Sequence, residues 1–366
     1  MSNLTKSTEF DRQMIRRCVE LAQQAWGKTA PNPLVGAVIV KDGKIVGEGF
    51  HPGVGQPHAE VFALREAGEQ ARGATIYVSL EPCNHYGRTP PCAAALVLAG
   101  VSKVVVGMVD PNPLVAGGGI ATLEQAGIEV IVGVESALCE ALNEGFVQRI
   151  VHHRPLGILK YAMTLDGKIA TDSGHSTWVS SDPSRHYVHH LRAGCDAVVI
   201  GGNTLRQDNP YLTSHQSDAP NPLRVVLTQK FDLPSEAILW DTSVAKTLVV
   251  TTTGANPQLR DRLRDRGVEV LELDLLKPQL VMKHLYDRGF LSVLWECGGT
   301  LAASAIADGA IQKVLAFIAP KIVGGVAAPS PVGDLNIRSM TDALILERVT
   351  YQQVGTDLLI QGYIGN

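Results

Sequence analysis

The residues best suited to chemistry in the first half of the chain are a histidine, a glutamate and two cysteines: His58, Glu60, Cys83 and Cys92. One imidazole and two thiolates would give Zn²⁺ three protein ligands and leave the fourth tetrahedral position open for water, as in catalytic zinc sites. Zinc lowers the pKa of such a water, and a carboxylate two residues from the ligating histidine is placed to carry its proton to a leaving amine. The pattern predicts one zinc ion per chain and a hydrolytic deaminase, with Glu60 as the catalytic proton carrier.

The spacing of the two cysteines departs from the general pattern of zinc deaminases, because eight residues separate them instead of two. The intervening segment must form a loop over the metal site, so His85 and Arg88 are candidate substrate contacts. The other cysteines lie within helical or strand-like patterns and are predicted to be buried apolar residues. They are Cys18, Cys139, Cys195 and Cys297.

A second candidate site lies in the other half of the chain, where the run Glu296–Thr300 follows an apolar strand and opens a helix. Its two glycines would let a phosphate approach the backbone N–H groups of the helix N-terminus. A helix start without any ligand would leave the same short pattern. Because the run is not a Gly-x-Gly-x-x-Gly fingerprint, a Rossmann dinucleotide-binding domain is not predicted.

These candidates need a scaffold, and the chain alternates short apolar runs with helical patterns throughout. Asp42-Gly43 between two apolar runs predicts a β-hairpin, since glycine adopts positive φ without strain. A helix predicted from Ser136 to about Val151 is followed by Arg154-Pro155, where the residue before proline is disfavoured in the α region. We therefore predict two α/β domains, residues 1–153 and 154–366, each with a sheet covered by helices.

Composition narrows the class of protein further. The 366 residues carry a formal net charge of −4 and neither half has a basic excess, which argues against nucleic acid as a partner. The longest apolar runs are far shorter than the ~20 residues of a membrane span, and the N-terminus has no apolar secretory segment. Six cysteines in so long a chain do not make a disulfide framework. We expect a cytoplasmic enzyme with small-molecule substrates and, as is common for such enzymes, a homodimer or homotetramer.

The segment from Glu81 to Cys92, Glu-Pro-Cys-Asn-His-Tyr-Gly-Arg-Thr-Pro-Pro-Cys, closely resembles the deaminase domain of the bifunctional deaminase/reductase family of riboflavin biosynthesis. The eight-residue spacing is that family's own, and the runs 30–37, 110–113 and 115–117 also match it. The resemblance implies a cytidine-deaminase-like three-layer domain. It implies that the pyrimidine and phosphate pocket is lined by Asn32, His51, His85, Arg88, Asp110 and Asn112.

Three runs in the second half, 160–170, 176–181 and 201–210, are similar to the reductase domain of the same family, whose fold resembles dihydrofolate reductase. The resemblance implies NADPH as the cofactor. The implied cofactor contacts are Ala162, Trp178, Thr204, Asp208, Gly298, Gly299, Thr300, Leu301, Ala302, Ala303 and Ser304. The implied substrate contacts are Ser176, Arg192, Leu212 and Glu296, with Lys160 near the reacting ribose.

The charged residues of this implied reductase site suit a phosphorylated sugar. Arg192 and Lys160 are cationic anchors of the kind that a ribose phosphate requires. Glu296 is suited to orient a sugar hydroxyl or to assist proton transfer. His215 stands where the family often has a basic residue, and histidine is only partly charged at neutral pH. The phosphate anchor is therefore where this chain departs most from the family pattern.

The resemblance as a whole implies a bifunctional enzyme. Its first domain would deaminate 2,5-diamino-6-(5-phosphoribosylamino)pyrimidin-4(3H)-one, and its second would reduce the ribosyl group of the product to ribityl. One alternative is a deaminase of nucleic acids or free nucleosides with an accessory domain, which the charge and the cysteine spacing disfavour. The other is a single-function zinc deaminase with a catalytically silent C-terminal domain, which the intact reductase motifs disfavour.

Overall fold

The chain divides into two compact units, Met1–His153 and Arg154–Asn366, each built around its own β-sheet. The structure, a computed structural model, describes residues 7–84, 91–113, 115–216 and 219–365. The boundary between the units immediately precedes Arg154-Pro155. Within the described ranges, no helix is both long and apolar enough to cross a membrane.

The first unit is a five-stranded sheet packed against helices. Its strands lie in the order β2-β1-β3-β4-β5, with β1 antiparallel to both of its neighbours and β3, β4 and β5 parallel to one another. In chain order the elements are α1 (Glu9–Gln23), β1 (Gly36–Lys41), β2 (Lys44–Phe50), α2 (Ala59–Ala67), β3 (Thr75–Leu80), α3 (Cys92–Ala99), β4 (Lys103–Met108), α4 (Gly118–Gln125), β5 (Glu129–Val132), α5 (Ser136–Leu142) and α6 (Glu144–His152).

Local signals in the sequence account for several of these boundaries. Thr8 and Asp11 form a capping box at the start of α1, in which each side chain accepts a hydrogen bond from the other residue's backbone N–H. Gly43 has a φ of +74° in the predicted hairpin between β1 and β2. The strands β1, β3 and β4 are almost wholly buried, which explains their continuous apolar runs. Parallel strands covered by helices end at one edge of the sheet, where α/β proteins commonly bind ligands.

The helix predicted from Ser136 to about Val151 is wrong in one respect, because the structure has two helices there, α5 and α6, separated at Asn143. The Asn143 side chain accepts a hydrogen bond from the Leu34 N–H at 2.8 Å and donates one to the Leu34 carbonyl at 2.9 Å. Both polar groups of the buried amide are satisfied in this way, and both groups of the Leu34 backbone are paired. This long-range contact, which periodicity does not reveal, coincides with the break.

The second unit is a nine-stranded sheet in the order β10-β9-β8-β7-β11-β6-β12-β14-β13. All neighbours are parallel except the last two pairs, β12 with β14 and β14 with β13. Its elements are β6 (Leu156–Thr164), α7 (Asp182–Gly194), β7 (Ala197–Gly201), α8 (Gly202–Asp208), β8 (Leu223–Leu227), β9 (Thr247–Thr252), α9 (Pro257–Asp265), β10 (Glu269–Leu273), α10 (Pro278–Asp287), β11 (Ser292–Trp295), α11 (Gly299–Ala307), β12 (Lys313–Ala319), β13 (Leu346–Val354) and β14 (Asp357–Ile364).

A buried carboxylate at the start of β14 holds the N-terminus of α7. Asp357 accepts hydrogen bonds from the Ser181 N–H at 2.8 Å, the Ser181 hydroxyl at 2.9 Å and the Ser184 hydroxyl at 2.6 Å. Burial opposes ionisation of Asp357, but the hydrogen bonds from the two serines outweigh it and hold the pKa of the carboxyl below its ordinary value. The ionised form therefore stabilises the fold.

We expect Asp357→Asn to lower the free energy of unfolding of the second unit by about 1–3 kcal/mol at pH 7, because an amide replaces a carboxylate that accepts three hydrogen bonds from Ser181 and Ser184. Since the folded-state pKa is depressed, the contribution is present above the unfolded-state pKa of about 3.9 and is lost as pH falls below it. Urea unfolding followed by the fluorescence of the buried Trp240 and Trp295 measures both effects.

The control for this measurement is Asp287→Asn. Asp287 forms an exposed ion pair with Lys283 on α10, which contributes no more than about 0.5 kcal/mol. Equal losses of stability in the two variants would contradict the role given to Asp357.

Candidate functional sites

The first unit brings His58, Cys83 and Cys92 together. The His58 Nδ1 atom lies 3.6 Å from the Cys83 sulfur and 3.3 Å from the Cys92 sulfur. All three potential ligand atoms lie within 4.8 Å of one another. Across the described ranges, this is the one group of three or more His, Cys, Asp or Glu residues close enough to hold a metal ion.

Secondary structure places each of these side chains. His58 is the N-cap of α2, and its side chain is not used to cap the helix. Cys83 follows β3 in the chain, and Cys92 is the first residue of α3, with Pro91 as its N-cap. The Cys92 N–H donates a hydrogen bond to the Cys83 sulfur at 3.3 Å, so a helix N-terminus faces that sulfur. A backbone donor and the helix dipole both favour negative charge there.

The donor set fits zinc. Tetrahedral zinc with one nitrogen and one sulfur ligand places those two atoms about 3.6 Å apart. The distances between His58 Nδ1 and the two sulfurs are 3.6 and 3.3 Å, so both sulfurs lie close to the separation from the imidazole that shared zinc binding requires. With three ligands, a fourth tetrahedral position is left for a small molecule.

Glu60, in the first turn of α2, is buried, and its Oε2 atom has no hydrogen-bond partner. Burial raises the pKa of Glu60 to about 7. A buried carboxylate oxygen without a partner is costly unless a ligand or water satisfies it. The pKa of Cys83 is lowered to about 4, chiefly by a hydrogen bond from the Cys92 thiol. The cluster therefore combines an easily formed thiolate with a carboxyl group suited to proton transfer.

Asn32 and His51 form a hydrogen-bonded pair beside this cluster. The Asn32 Nδ2 and His51 Nε2 atoms are 3.1 Å apart, and His51 Nδ1 lies 3.0 Å from the Pro57 carbonyl oxygen. Because a carbonyl only accepts, Nδ1 carries the proton and Nε2 accepts from the Asn32 amide. The centroids of the His51 and His58 rings are 5.5 Å apart. The structure thus brings two of the implied pocket residues next to a metal-binding side chain.

The other implied pocket residues are less directly connected. Asp110 and Asn112 follow β4, and the Asp110 side chain accepts a hydrogen bond from the Asn112 N–H at 2.8 Å. The buried side chain of Glu81 accepts a hydrogen bond from the Asp110 N–H at 3.2 Å. His85 and Arg88 lie outside the described residues.

The second unit places two cations around one carboxylate. Glu296, directly after β11, receives hydrogen bonds from Arg192 Nε at 2.6 Å and Arg192 Nη2 at 3.0 Å. The Lys160 Nζ atom on β6 lies 3.9 Å from Glu296 Oε2. Burial opposes ionisation of Glu296, but Arg192 and Lys160 hold the pKa of its carboxyl below the ordinary value. Burial also lowers the pKa of Lys160, although the carboxylate opposes this.

The implied cofactor residues fall on several elements of this unit. Ser176 donates a hydrogen bond to Asp208 at the end of α8, and burial raises the pKa of Asp208 despite that bond. The ring of Trp178 is 64% exposed, and the Arg185 guanidinium lies over it, 4.6 Å from the ring centroid. Ala162 lies on β6 and Thr204 on α8, while Gly298 is the N-cap of α11. The remainder, Gly299, Thr300, Leu301, Ala302, Ala303 and Ser304, all belong to α11.

The loop after α8 has an unusual backbone at two implied substrate contacts. Leu212 has a φ of +54° and His215 a φ of +53°, a left-handed conformation that is uncommon for residues other than glycine, although histidine adopts it more often than leucine. The His215 ring lies against the His189 ring, with centroids 4.3 Å apart. Arg192 reaches the same loop, because its Nη1 donates to the Thr213 carbonyl at 3.2 Å. Such strain persists only where the surrounding structure imposes it, and it is commonest at functional sites.

Sequence reasoning missed two residues in these surroundings. Glu81 stands in the quoted motif, but nothing in its spacing shows that it accepts hydrogen bonds from the backbone N–H groups of Asp110 and of the start of α4. His189 lies in a histidine-rich helical segment, and only the fold places it against His215. The prediction that Cys18, Cys139, Cys195 and Cys297 are buried and unbridged is confirmed.

Two family models match the chain. Residues 8–108 match the cytidine and deoxycytidylate deaminase zinc-binding region, and residues 155–360 match the RibD C-terminal domain. The first match covers His58, Glu60, Cys83 and Cys92, so the family match and the side-chain cluster both support zinc binding by the first unit. The predicted α/β fold, cytidine-deaminase-like and then dihydrofolate-reductase-like, is confirmed.

Two relatives are similar to this chain over nearly its whole length, so the similarity includes both units. The chain is 61% identical to the riboflavin biosynthesis protein RibD of Synechocystis sp., over 97% of this chain and 96% of that protein. It is similar to the solved structure of Acinetobacter baumannii RibD, with a TM-score of 0.87, 39% identity and coverage of 98% and 99%.

A third relative is named for both activities. The crystal structure of a diaminohydroxyphosphoribosylaminopyrimidine deaminase/5-amino-6-(5-phosphoribosylamino)uracil reductase from Thermotoga maritima has a TM-score of 0.84 and 34% identity, covering 97% of this chain and 99% of that one. Similarity of this extent spans both units and the motifs in each. The chain therefore belongs to the RibD family of bifunctional riboflavin biosynthesis proteins.

Proposed function

We propose that this chain catalyses two consecutive steps of riboflavin biosynthesis, a zinc-dependent deamination of 2,5-diamino-6-(5-phosphoribosylamino)pyrimidin-4(3H)-one and an NADPH-dependent reduction of its product. The observation that carries the proposal is the cluster of His58, Cys83 and Cys92 beside a buried, unpartnered oxygen of Glu60. The relative from Thermotoga maritima, which is named for both reactions, supports the assignment of the substrates.

In the deaminase reaction, water replaces the amino group on a ring carbon of the pyrimidine. Zinc held by His58, Cys83 and Cys92 would lower the pKa of a water in its fourth position. Glu60 accepts a proton from the attacking water and delivers it to the departing amine, which leaves as ammonia. Its pKa of about 7 suits both steps, because a group that half-ionises near neutral pH exchanges protons readily in either direction.

The pocket for the pyrimidine and its phosphate is proposed to include Asn32, His51, His85, Arg88, Asp110 and Asn112. His51 accepts a hydrogen bond from Asn32 and donates one to the Pro57 carbonyl, so the orientation of its ring is fixed from both sides. A fixed ring next to His58 is suited to position a planar substrate at the metal.

We expect Glu60→Gln to retain zinc and to lose deamination by roughly 10²–10⁴-fold in kcat, because the amide has the same shape but does not shuttle protons. Cys92→Ala, in contrast, removes a ligand and should lose zinc as well. Metal analysis distinguishes the two variants, and ammonia release measures their deaminase activity. NADPH oxidation with the deaminated intermediate is the control for folding, because the reductase should work in both. Near wild-type deamination by Glu60→Gln would refute the proposed role.

In the reductase reaction, the anomeric carbon gains a hydride and the ring oxygen gains a proton as the ribosyl ring opens. NADPH would supply the hydride. Lys160 is proposed to donate the proton, since burial lowers its pKa and makes it a better acid. Glu296 holds Lys160 and Arg192 in place through its two oxygens and is suited to orient a sugar hydroxyl.

Binding of the cofactor is proposed at the N-terminus of α11, with Gly298 and the residues 299–304, and at Ala162, Trp178, Thr204 and Asp208. No side chain of the described residues caps the start of α11, and Gly298 has open space where a side chain would stand, which suits a phosphate at this helix N-terminus. Gly299 instead packs closely against the Ser330 carbonyl. The exposed Trp178 ring, held by Arg185, offers a flat surface for a nucleotide ring. Ser176, Arg192, Leu212, His215 and Glu296 are proposed to contact the substrate.

We expect Lys160→Ala to lower kcat for NADPH oxidation with the deaminated intermediate by roughly 10–100-fold, because the proton donor is lost. Lys313→Ala, on neighbouring β12, is the matched control and should keep its activity. The absorbance of NADPH follows the reaction directly. A wild-type chain that leaves NADPH unchanged in the presence of authentic intermediate would favour the alternative of a deaminase with a catalytically silent second domain.

The paired rings of His189 and His215 are proposed to make binding of the substrate phosphate depend on pH. Burial, with help from His215, Arg192 and His186, lowers the pKa of His189 to about 4, while the Glu296 charge opposes this. Burial and Arg192 also lower the pKa of His215, whose ring faces Tyr211. Both rings are therefore neutral at pH 7 until a phosphate arrives. A phosphate dianion favours the charged imidazole, so binding is accompanied by proton uptake.

We expect the reductase KM for the phosphorylated intermediate to rise with pH between 6.5 and 8, by up to about tenfold per pH unit for one proton taken up. In His215→Arg the charge is permanent, and this part of the pH dependence should disappear. Whatever dependence remains in that variant belongs to the phosphate itself, whose second pKa is about 6. Identical KM–pH curves for the two proteins would contradict an anchor at His215.

We propose a homodimer as the assembly, supported by the exposure of β13. This edge strand has only Val354 buried, and the preceding segment exposes Met340, Leu344 and Ile345. An edge strand with unpaired backbone groups next to exposed apolar residues is suited to pair with a second copy of the chain.

A further inference from the structure

The Glu81 side chain is a buried carboxylate that contacts backbone N–H groups. It lies directly after β3, and the residue is 4% exposed. Its Oε1 atom accepts from Gly119 at 2.9 Å and from Ile120 at 3.2 Å. Its Oε2 atom accepts from Gly117 at 3.0 Å and from Asp110 at 3.2 Å. Four main-chain donors from one later stretch of chain thus meet on one side chain.

Three of these donors belong to the start of α4, where the first N–H groups of a helix have no partner within the helix. A carboxylate satisfies them and is favoured by the helix dipole. The contact is close, because a Cβ on Gly119 would collide with the Pro82 carbonyl oxygen. The Thr122 hydroxyl on α4 also donates a hydrogen bond to the Asn84 side chain at 3.0 Å, which joins the same helix to the end of the turn. Helix α4 is therefore held against the whole turn 81–84.

That turn carries a metal-binding side chain. On its other side, the Cys83 carbonyl accepts from the Ala93 N–H at 3.2 Å, and the Cys83 sulfur accepts from the Cys92 N–H. The turn that carries Cys83 is thus held between the start of α3 and the start of α4. The fourth donor to Glu81 is the N–H of Asp110, which begins the loop that carries Asn112.

We infer that Glu81 is a positioning residue for deamination: its carboxylate ties the turn that carries Cys83 to the loop that carries Asp110 and Asn112. The inference rests on the proposed function for the role of that loop in substrate binding. A carboxylate is required because every group that faces it is a donor. In Glu81→Gln, the side-chain NH₂ group would face two N–H donors and leave them without acceptors.

The test measures three quantities in full-length Glu81→Gln. Loss of the hydrogen bonds that Glu81 accepts should raise the deaminase KM and the rate of zinc release to a chelator by roughly 10–100-fold each. The kcat of the zinc-saturated variant should stay within about threefold of wild type, because Glu60 is untouched. NADPH oxidation with the deaminated intermediate, which uses the second unit, should not change.

The matched control is Asp11→Asn, which also replaces a buried carboxylate of the first unit with an amide. Asp11 accepts hydrogen bonds from Thr8 and from the Tyr77 hydroxyl, none of which belongs to the candidate site. We expect it to lower stability while KM and zinc release stay within about twofold of wild type. If Glu81→Gln changes stability alone, as this control does, the positioning role is wrong.

A shorter carboxylate keeps the test decisive if Glu81→Gln does not fold. Glu81→Asp retains the charge at the start of α4, but its shorter side chain does not reach all four donors. The deaminase KM and the rate of zinc release should therefore lie between the values of wild type and those of Glu81→Gln. Wild-type KM and wild-type zinc release in Glu81→Asp would overturn the inference. Zinc release is measured without substrate, so it tests the Glu81 contact even if the wild-type chain does not deaminate.

Discussion

Negative charge at helix N-termini is the interaction on which the first site depends. The N-terminus of α3 points an N–H at the Cys83 sulfur, the first turn of α2 holds Glu60, and the start of α4 surrounds the carboxylate of Glu81. Each helix supplies partial positive charge where burial alone would suppress ionisation. The first unit therefore places three ionisable side chains, Cys83, Glu60 and Glu81, at the N-termini of helices.

The site in the second unit differs, because it holds two cationic side chains, Lys160 and Arg192, in a buried position. Lys160 and Arg192 would each be costly there alone, and the two oxygens of Glu296 serve both. One carboxylate between two cations leaves the group with a net positive charge, which suits a phosphorylated sugar better than a neutral pair would. The negative charge of Glu296 after β11 balances one of the two positive charges. The remaining positive charge is left for an anionic ligand to neutralise.

The sequence was sufficient for the fold class and for the metal-binding group, because ligand type, spacing and strand patterns are local properties of the chain. It could not place Asn143 against Leu34, nor His189 against His215, because these contacts join residues that are distant or on different elements. The same limit applies to Glu81: its position before Pro82-Cys83 was visible, whereas its four partners come from a loop and a helix that only the sheet brings near. The roles of the individual site residues stay predictions, and His85 and Arg88 lie outside the described residues.

The left-handed backbone at Leu212 and His215 has a consequence for how affinity and stability are divided in the second unit. A residue in this conformation costs of order 1–3 kcal/mol, and here the folded chain bears that cost before any ligand arrives. A loop that is already ordered loses little conformational entropy when a ligand binds, so more of the contact energy appears as affinity. If Leu212 and His215 contact the substrate as proposed, the unit gives up some stability to order this segment before binding. Substitutions that relax this backbone would be expected to make the protein harder to unfold and its ligand easier to release.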